Sequence, residues 1–221
     1  VGIATADLAR LAEELEALRG RPVWAHVDVM DGCFCPQLTM GASLIAATAS
    51  CGVPVDAHLM VEEPRRFVGE IVAAGAAAVT VHVESTRHLY GTLKELDDLR
   101  EDHPELIRGL AVNPGTPVGA IESVLGMVDL VLLLAVEPGW PARGLADGTR
   151  DRLTQVRALA SASASERDIA VGIDGGITRA NIAEVAAWGP DLVVSGRAIY
   201  DGRDAAANAD ALLSVLQGAS R

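Results

Sequence analysis

Aromatic residues make up only 3% of this 221-residue chain, although half of it is hydrophobic. Its core must therefore be built from Ala, Val, Leu and Ile, the aliphatics that fill barrel interiors. Lysine is nearly missing too: Lys94 is the single one, in a stretch that reads as an exposed helix. With 30 acids against 18 bases the formal net charge is −12, and no Lys/Arg run interrupts it. A nucleic-acid partner needs a basic face to neutralise phosphates, so that class is excluded. Any phosphate site must rest on backbone amides, helix N-termini or arginine.

Cys33, Cys35 and Cys51 are too few and too irregularly spaced for a disulfide framework. They are expected to be reduced thiols in a cytoplasmic protein. Cys33 and Cys35 lack the second pair that a zinc site of this type requires. No apolar run approaches the ~20 residues of a membrane span, so no membrane association is expected. No linker divides the chain, and the alternating Ser161–Ser165 run is too short to be one. The chain opens at Val1 without an initiator Met or a signal-like segment, so a few native residues are expected to precede it.

What is present is an apolar strand followed by an amphipathic helix, repeated eight times. The expected strands are Val1–Ala4, Val23–Val29, Val55–Met60, Ala77–Val83, Ile107–Val112, Leu130–Val136, Ile169–Ile173 and Leu192–Ser195. Helical stretches between and after them cover Ala6–Leu18, Gly41–Ser50, Pro64–Ala74, Leu89–Glu101, Val118–Leu125, Thr149–Ala162, Arg179–Ala187 and Ala205–Leu216. Strict alternation gives an α/β protein, and eight units in this length point to a single (β/α)8 TIM-barrel domain over residues 1–221. An open doubly wound sheet is the competing architecture, but no G-x-G-x-x-G follows the first strand.

In such barrels the chemistry sits at the C-terminal strand ends. The second strand ends His26-Val27-Asp28-Val29-Met30, the third Asp56-Ala57-His58-Leu59-Met60, the fourth His82-Val83-Glu84 and the seventh Asp174-Gly175-Gly176. Side chains alternate along a strand, so His26, Asp28 and Met30 share one face. His26, Asp28, His58 and Asp174 thus form a two-His, two-Asp set at one barrel mouth. Each alone reads as a satisfied polar residue; four together in a chain with five histidines suit one divalent ion such as Zn, Fe(II), Mn or Co. Two aspartates facing across a metal can remove a proton alpha to a carbonyl and return one to the opposite face. A carboxylate bound to a cation is a weak base, and burial near the apolar Met30 and Met60 would restore some of its basicity, or these methionines simply fill the core. His82 and Glu84 are read as buttressing the neighbouring strand ends. Gly175-Gly176 and Gly196-Arg197 follow the last two strands, where this fold places phosphate on backbone amides.

Seven segments carry a resemblance: HVDVMDGCFCPQLTMG (26–41), DAHLMVEEPRRF (56–67), VHVE (81–84), VNPGTP (112–117), VEPGW (136–140), IDGGIT (173–178) and SGRAIY (195–200). Together they resemble the ribulose-phosphate 3-epimerase family across nearly the whole chain. The first two blocks are highly specific, while NPGTP and DGGI are shared more loosely among phosphate-binding barrels. The resemblance implies 3-epimerisation of a ketose phosphate, ribulose 5-phosphate to xylulose 5-phosphate, through a metal-stabilised enediolate. It places metal ligands at His26, Asp28, His58 and Asp174, with Asp28 and Asp174 as acid and base. Substrate and phosphate contacts are expected from His58, Met30, Met60, Gly139, Gly175, Gly176, Gly196 and Arg197. A homo-oligomer is expected.

The chain also departs from the family. Gly2 stands where a substrate-contacting serine is usual, Leu134 where a third methionine is frequent, and Arg197 where serine follows the glycine. Trp140-Pro141-Ala142-Arg143 replaces an aromatic-Gly-Gly-Gln run, and Pro141 cannot donate an N–H. An intact metal set with an altered periphery suggests a shifted substrate, such as allulose 6-phosphate to fructose 6-phosphate. A non-catalytic phosphosugar-binding barrel is the alternative from another class. An aldolase or decarboxylase barrel is set aside, because Lys94 lies away from any strand end.

Overall fold

The computed structural model describes residues 1–140, 144–163 and 168–219. The Pro141-Ala142-Arg143 departure and the end of the Ser161–Ser165 run lie outside these residues. Seven parallel strands run β1 (Ala25–Met30), β2 (Val55–Met60), β3 (Ala78–His82), β4 (Ile107–Val112), β5 (Leu130–Leu134), β6 (Ala170–Asp174) and β7 (Leu192–Val194), each bonded to the next in chain order. Sequential parallel pairing with helices between the strands is the TIM-barrel plan.

The expected first strand, Val1–Ala4, is reduced to a single bridge at Gly2, and Ile3–Thr5 turn into a 3-10 helix. Ala6 N–H closes that turn onto the Ile3 carbonyl at 3.0 Å. Val1 and Gly2 still link the two sheet edges: Gly2 N–H donates to the Ser195 carbonyl at 3.0 Å, and His26 N–H donates to the Val1 carbonyl at 2.8 Å.

The helices differ from their expected bounds in both directions: several are shorter, Thr149–Ala162 keeps its bounds and the last runs three residues further. They are α1 (Leu11–Glu16), α2 (Ala42–Ser50), α3 (Val68–Ala73), α4 (Leu89–Asp98), α5 (Thr149–Ala162), α6 (Ile182–Ala187) and α7 (Ala205–Ala219). The expected helix Val118–Leu125 is a 3-10 helix, Val118–Met127. Asp7 accepts a hydrogen bond from Ala9 N–H, so the expected Ala6–Leu18 helix opens as a separate 3-10 turn, Leu8–Arg10.

Register and alternation sort the strand residues onto two faces. Outward-facing Val27, Val29, Ala57, Leu59, Val79, Val81, Leu110, Val131, Leu133, Val171 and Ile173 join the main core against the helices. The inward face is divided. Ala111, Leu132, Leu134 and Val194 form an apolar cluster on β4, β5 and β7. Opposite it, β1 and β2 place His26 beside Asp56, Asp28 beside His58 and Met30 beside Met60. β3 adds Thr80 next to His58.

Gly109 on β4 permits this polar half to close. A Cβ there would lie 2.2 Å from Thr80 Oγ1, and the Thr80 hydroxyl reaches Asp56 at 3.4 Å. Gly109→Ala is expected to destabilise the barrel by ~1–3 kcal/mol through overpacking. The midpoint of urea unfolding measures this, and an unchanged midpoint counts against such tight packing.

Candidate metal and acid–base centre

One ligand atom from each of His26, Asp28, His58 and Asp174 can be chosen so that all four lie within 4.8 Å of one another. Three strand ends bring them together: β1 carries His26 and Asp28, β2 carries His58 and β6 carries Asp174. His26 Nε2 lies 3.2 Å from Asp28 Oδ1 and 3.7 Å from Asp174 Oδ2. His58 Nδ1 lies 3.1 Å and 3.5 Å from the same two oxygens.

Loop hydrogen bonds hold this geometry. The Thr39 hydroxyl donates to the Asp28 carbonyl at 2.7 Å and accepts from Met30 N–H at 2.8 Å, which pins the end of β1. Asp31 accepts from the N–H groups of Cys33, Phe34 and Glu62, so one carboxylate joins the exits of β1 and β2. Gln37 Nε2 donates to the Gly139 carbonyl at 2.6 Å, tying the loop after β1 to the loop after β5.

The histidine nitrogens that turn away from the cluster are also engaged. His26 Nδ1 meets Asp56 Oδ2 at 2.7 Å, and His58 Nε2 meets His82 Nε2 at 2.8 Å. His82 Nδ1 meets Glu84 Oε2 at 3.2 Å, and Glu84 Oε1 accepts from Asn113 N–H at 2.8 Å. All three rings are buried. Each proposed histidine ligand therefore has one nitrogen held by a partner and the other facing the carboxylates. Metal-ligating histidines have this arrangement, and the donor set fits a divalent ion.

The electrostatics agree. Burial opposes charge on His26, but Asp56 and Asp28 outweigh it and hold the imidazole well above its ordinary range. Positive charge is thus favoured where the carboxylates converge. Burial also opposes ionisation of Asp28, yet His26 and His58 hold it below the usual carboxylate range. Asp174 is pushed upward, first by burial and then by its like-charged neighbours Asp28 and Asp56. The two aspartates thus differ in proton affinity, as paired acid–base groups do. Burial pushes His82 down to about 4, with Glu84 pulling the other way.

Above the cluster opens a mouth cavity of about 610 Å³, lined by Asp28, Asp174, Met30, Met60, Gly139, Gly175, Gly176, Gly196 and Arg197 among others. His58 lies beneath it, fully buried. Met30 and Met60 pack with Cys35 in a small apolar cluster at the rim. Gly175 has φ +90°, and a Cβ there would lie 2.3 Å from Val136 Cγ2, so only glycine fits. Gly196 accepts at its carbonyl from Ile199 and Tyr200 N–H, forming one helical turn after β7. Asp56 joins the site without having been among the residues expected there. Its signal is spacing: two residues before His58 on a strand, it has to face the same interior.

Fold and site together define an α/β-barrel enzyme built around a two-histidine, two-aspartate centre. The chain belongs to the ribulose-phosphate 3-epimerase family, matching the Ribulose-phosphate 3 epimerase family over residues 1–200. The Ribulose-phosphate 3-epimerase of Serratia marcescens is 38% identical over 201 residues, covering 90% of this chain and 92% of that one. That of Aquifex aeolicus (strain VF5) is 34% identical over 219 residues, covering 98% and 96%. Among solved structures, 3-hexulose-6-phosphate synthase from Salmonella typhimurium superposes with a TM-score of 0.66 at 16% identity, covering 99% of this chain and 95% of that one. A mutant tryptophan synthase alpha-subunit from Pyrococcus furiosus gives 0.66 at 14% identity, covering 98% and 95%. These two likenesses concern the fold alone. Among the described residues no helix is long and apolar enough to cross a membrane.

Proposed function

We propose that this chain, acting as one barrel domain, is a metal-dependent ketose-phosphate 3-epimerase that interconverts ribulose 5-phosphate and xylulose 5-phosphate. The observation that carries this reading is the convergence of His26, Asp28, His58 and Asp174 within 4.8 Å at the barrel mouth. These four would hold one divalent ion, Zn, Fe(II), Mn or Co. Bound there, the ion supplies Lewis-acid stabilisation of the negative charge that develops on substrate oxygens.

The chain's own residues do the rest. One aspartate takes the proton from C3, and the C3–H electron pair moves into the C2–C3 bond as the carbonyl becomes an enediolate. The other aspartate returns a proton to the opposite face of C3, and the carbonyl re-forms. Asp28 and Asp174 exchange roles in the reverse direction. Met30 and Met60 keep water from the reacting carbon, since solvent there would scramble the proton. The test is incubation with ribulose 5-phosphate in deuterated water. Formation of xylulose 5-phosphate labelled at C3 supports the reading, and absence of both label and product overturns it.

Phosphate recognition falls to the amide-rich turns at Gly175-Gly176 and Gly196-Arg197, with Gly139 on the facing loop; His58, expected among the substrate contacts, is buried below the cavity with both ring nitrogens engaged and does not reach it. Free ribulose is expected to react ~100-fold more slowly, through lost remote binding. Arg197→Ala is expected to raise KM about tenfold with kcat nearly unchanged, the loss of one charge-assisted hydrogen bond. Equal rates on free and phosphorylated sugar would remove the anion-site assignment.

Gly2 supports a second reading. A Cβ there would make only ordinary contacts, the nearest to Gly196 Cα at 3.6 Å. The glycine thus leaves side-chain room at the mouth, which favours a longer sugar such as allulose 6-phosphate. Comparing kcat/KM for pentulose and hexulose phosphates decides between the substrates. Cytoplasmic location and assembly into a homo-oligomer belong to the same proposal, and light scattering of the purified chain tests the assembly.

A further inference from the structure

We propose that Asn181 and Arg179 are positioning residues for the phosphate group. Asn181 holds back the Gly176 carbonyl so that the Ile177 N–H is presented to the anion, and Arg179 fixes the turn after β6 against the turn after β7. The inference deepens the anion-site reading above and rests on it. Its basis is a set of backbone carbonyls in the two turns, each tied to a donor. Asn181 Nδ2 donates to the Gly176 carbonyl at 2.9 Å. Gly2 N–H donates to the Ser195 carbonyl at 3.0 Å, and Ile199 and Tyr200 N–H donate to the Gly196 carbonyl at 2.8 and 3.0 Å.

A trans peptide is planar, so its C=O and the N–H that follows point in opposite directions. Each tied carbonyl therefore sets one amide: Ile177 N–H behind Gly176, Gly196 N–H behind Ser195, and Arg197 N–H behind Gly196. All three residues line the mouth cavity. Among the described residues no hydrogen bond engages these three N–H groups. They are free to donate to phosphate oxygens, the charge-assisted kind of hydrogen bond.

Asn181 is itself fixed, because its Oδ1 accepts from Thr178 N–H at 2.7 Å. One side chain thus closes the Gly176–Thr178 turn at both ends. Arg179 works between the turns. Its Nε and Nη2 donate to the Ala198 carbonyl at 3.3 and 3.2 Å, and Nη2 also donates to Asp201 at 2.9 Å. Asn208 Nδ2 donates to Asp201 at 2.9 Å and to the Ile199 carbonyl at 2.7 Å, so the far anchor of the guanidinium is held as well. Arg179 therefore spends these hydrogen bonds on the frame of the cradle. A lysine there would keep the charge but lose the planar fork that spans Ala198 and Asp201.

The experiment uses Asn181→Ala and Arg179→Lys with two readouts. Titration with inorganic phosphate, followed by amide proton–nitrogen NMR, reports which N–H groups meet the anion. The ratio of kcat/KM for ribulose 5-phosphate to that for free ribulose reports what the phosphate contributes, and damage shared by both sugars cancels in it. In the wild type the Ile177, Gly196 and Arg197 amides are expected to shift together. In Asn181→Ala the Ile177 response is expected to be lost and phosphate affinity to fall ~10-fold, the loss of one hydrogen bond to a charged group. The ratio should fall by the same factor, carried by KM rather than kcat. Arg179→Lys is expected to weaken all three responses, with affinity down about fivefold despite the retained charge. Wild-type affinity with an intact Ile177 response in Asn181→Ala overturns the role of Asn181, and wild-type affinity in Arg179→Lys overturns that of Arg179. A ratio unchanged in both variants overturns the proposal as a whole. A wild type whose three amides ignore phosphate removes the anion site and the inference with it. If the wild type turns over neither sugar, the epimerase reading falls, while the titration still decides the cradle.

Discussion

His58→Ala is expected to strip the purified chain of its divalent ion and to cut epimerisation by ~10³-fold or more, while leaving the barrel folded. A cation at a developing oxyanion contributes several kcal/mol, and at 1.36 kcal/mol per tenfold the loss of about 4 gives that factor. The fold should survive because His58 contributes little to the main apolar core, whose members on β2 are the outward-facing Val55, Ala57 and Leu59. Removing the ring also frees His82 Nε2 from its 2.8 Å partner, a cost that water entering the vacated space can offset. Metal content per chain and the far-ultraviolet circular dichroism spectrum are the measurements. A folded variant with one ion per chain would show that His58 is not a ligand.

The His–Asp cluster was legible because two strands broke the usual rule for a parallel sheet. Strands buried on both faces read as continuous apolar runs, as β5 does with Leu130–Leu134. In β1 and β2 every second residue is polar or Met, and the structure puts those residues on the inside. Their pairing, His26 with Asp56, Asp28 with His58 and Met30 with Met60, follows from strand alternation once the register is set. Asp174 was legible for another reason: it precedes two glycines at a strand exit, where no outward core position is needed.

Other features were closed to one-dimensional reading. His26 offers Nε2 to the centre and His58 offers Nδ1, a difference of ring orientation that no spacing encodes. The segment Val1–Ala4 has strand composition, yet only Gly2 bridges, because the chain turns at once into Ile3–Thr5. The stretch Val118–Met127 carries helical periodicity but tightens into 3-10 geometry. Gly119 and Gly126 within it weaken the α-helical preference. Nothing in the sequence distinguishes Gly109 from any other strand glycine, yet Thr80 packs directly against it.

Asp174→Asn and Asp28→Asn are expected to lose epimerisation by ~10²–10⁴-fold each, the range for a lost acid–base group. Asparagine keeps the size and one oxygen able to ligate, so each variant can hold its ion while lacking a basic carboxylate. Inversion needs an acceptor on one face of C3 and a donor on the other, so neither aspartate can replace its partner. The side chains approach the centre from different strands, Asp28 from β1 and Asp174 from β6. They also differ in proton affinity, Asp28 being held low by His26 and His58 against burial and Asp174 being raised by burial. The surviving carboxylate should still exchange the substrate proton that lies on its own face. In deuterated water, Asp174→Asn should therefore label the sugar that presents its C3 proton to Asp28 and leave the epimer unlabelled, and Asp28→Asn should do the reverse. Mass spectrometry of each recovered sugar, with metal content measured on the same sample, gives both readings. A variant that retains its ion and epimerises at the wild-type rate would exclude the two-carboxylate mechanism. Equal labelling of both epimers by one variant would mean that a single carboxylate serves both faces.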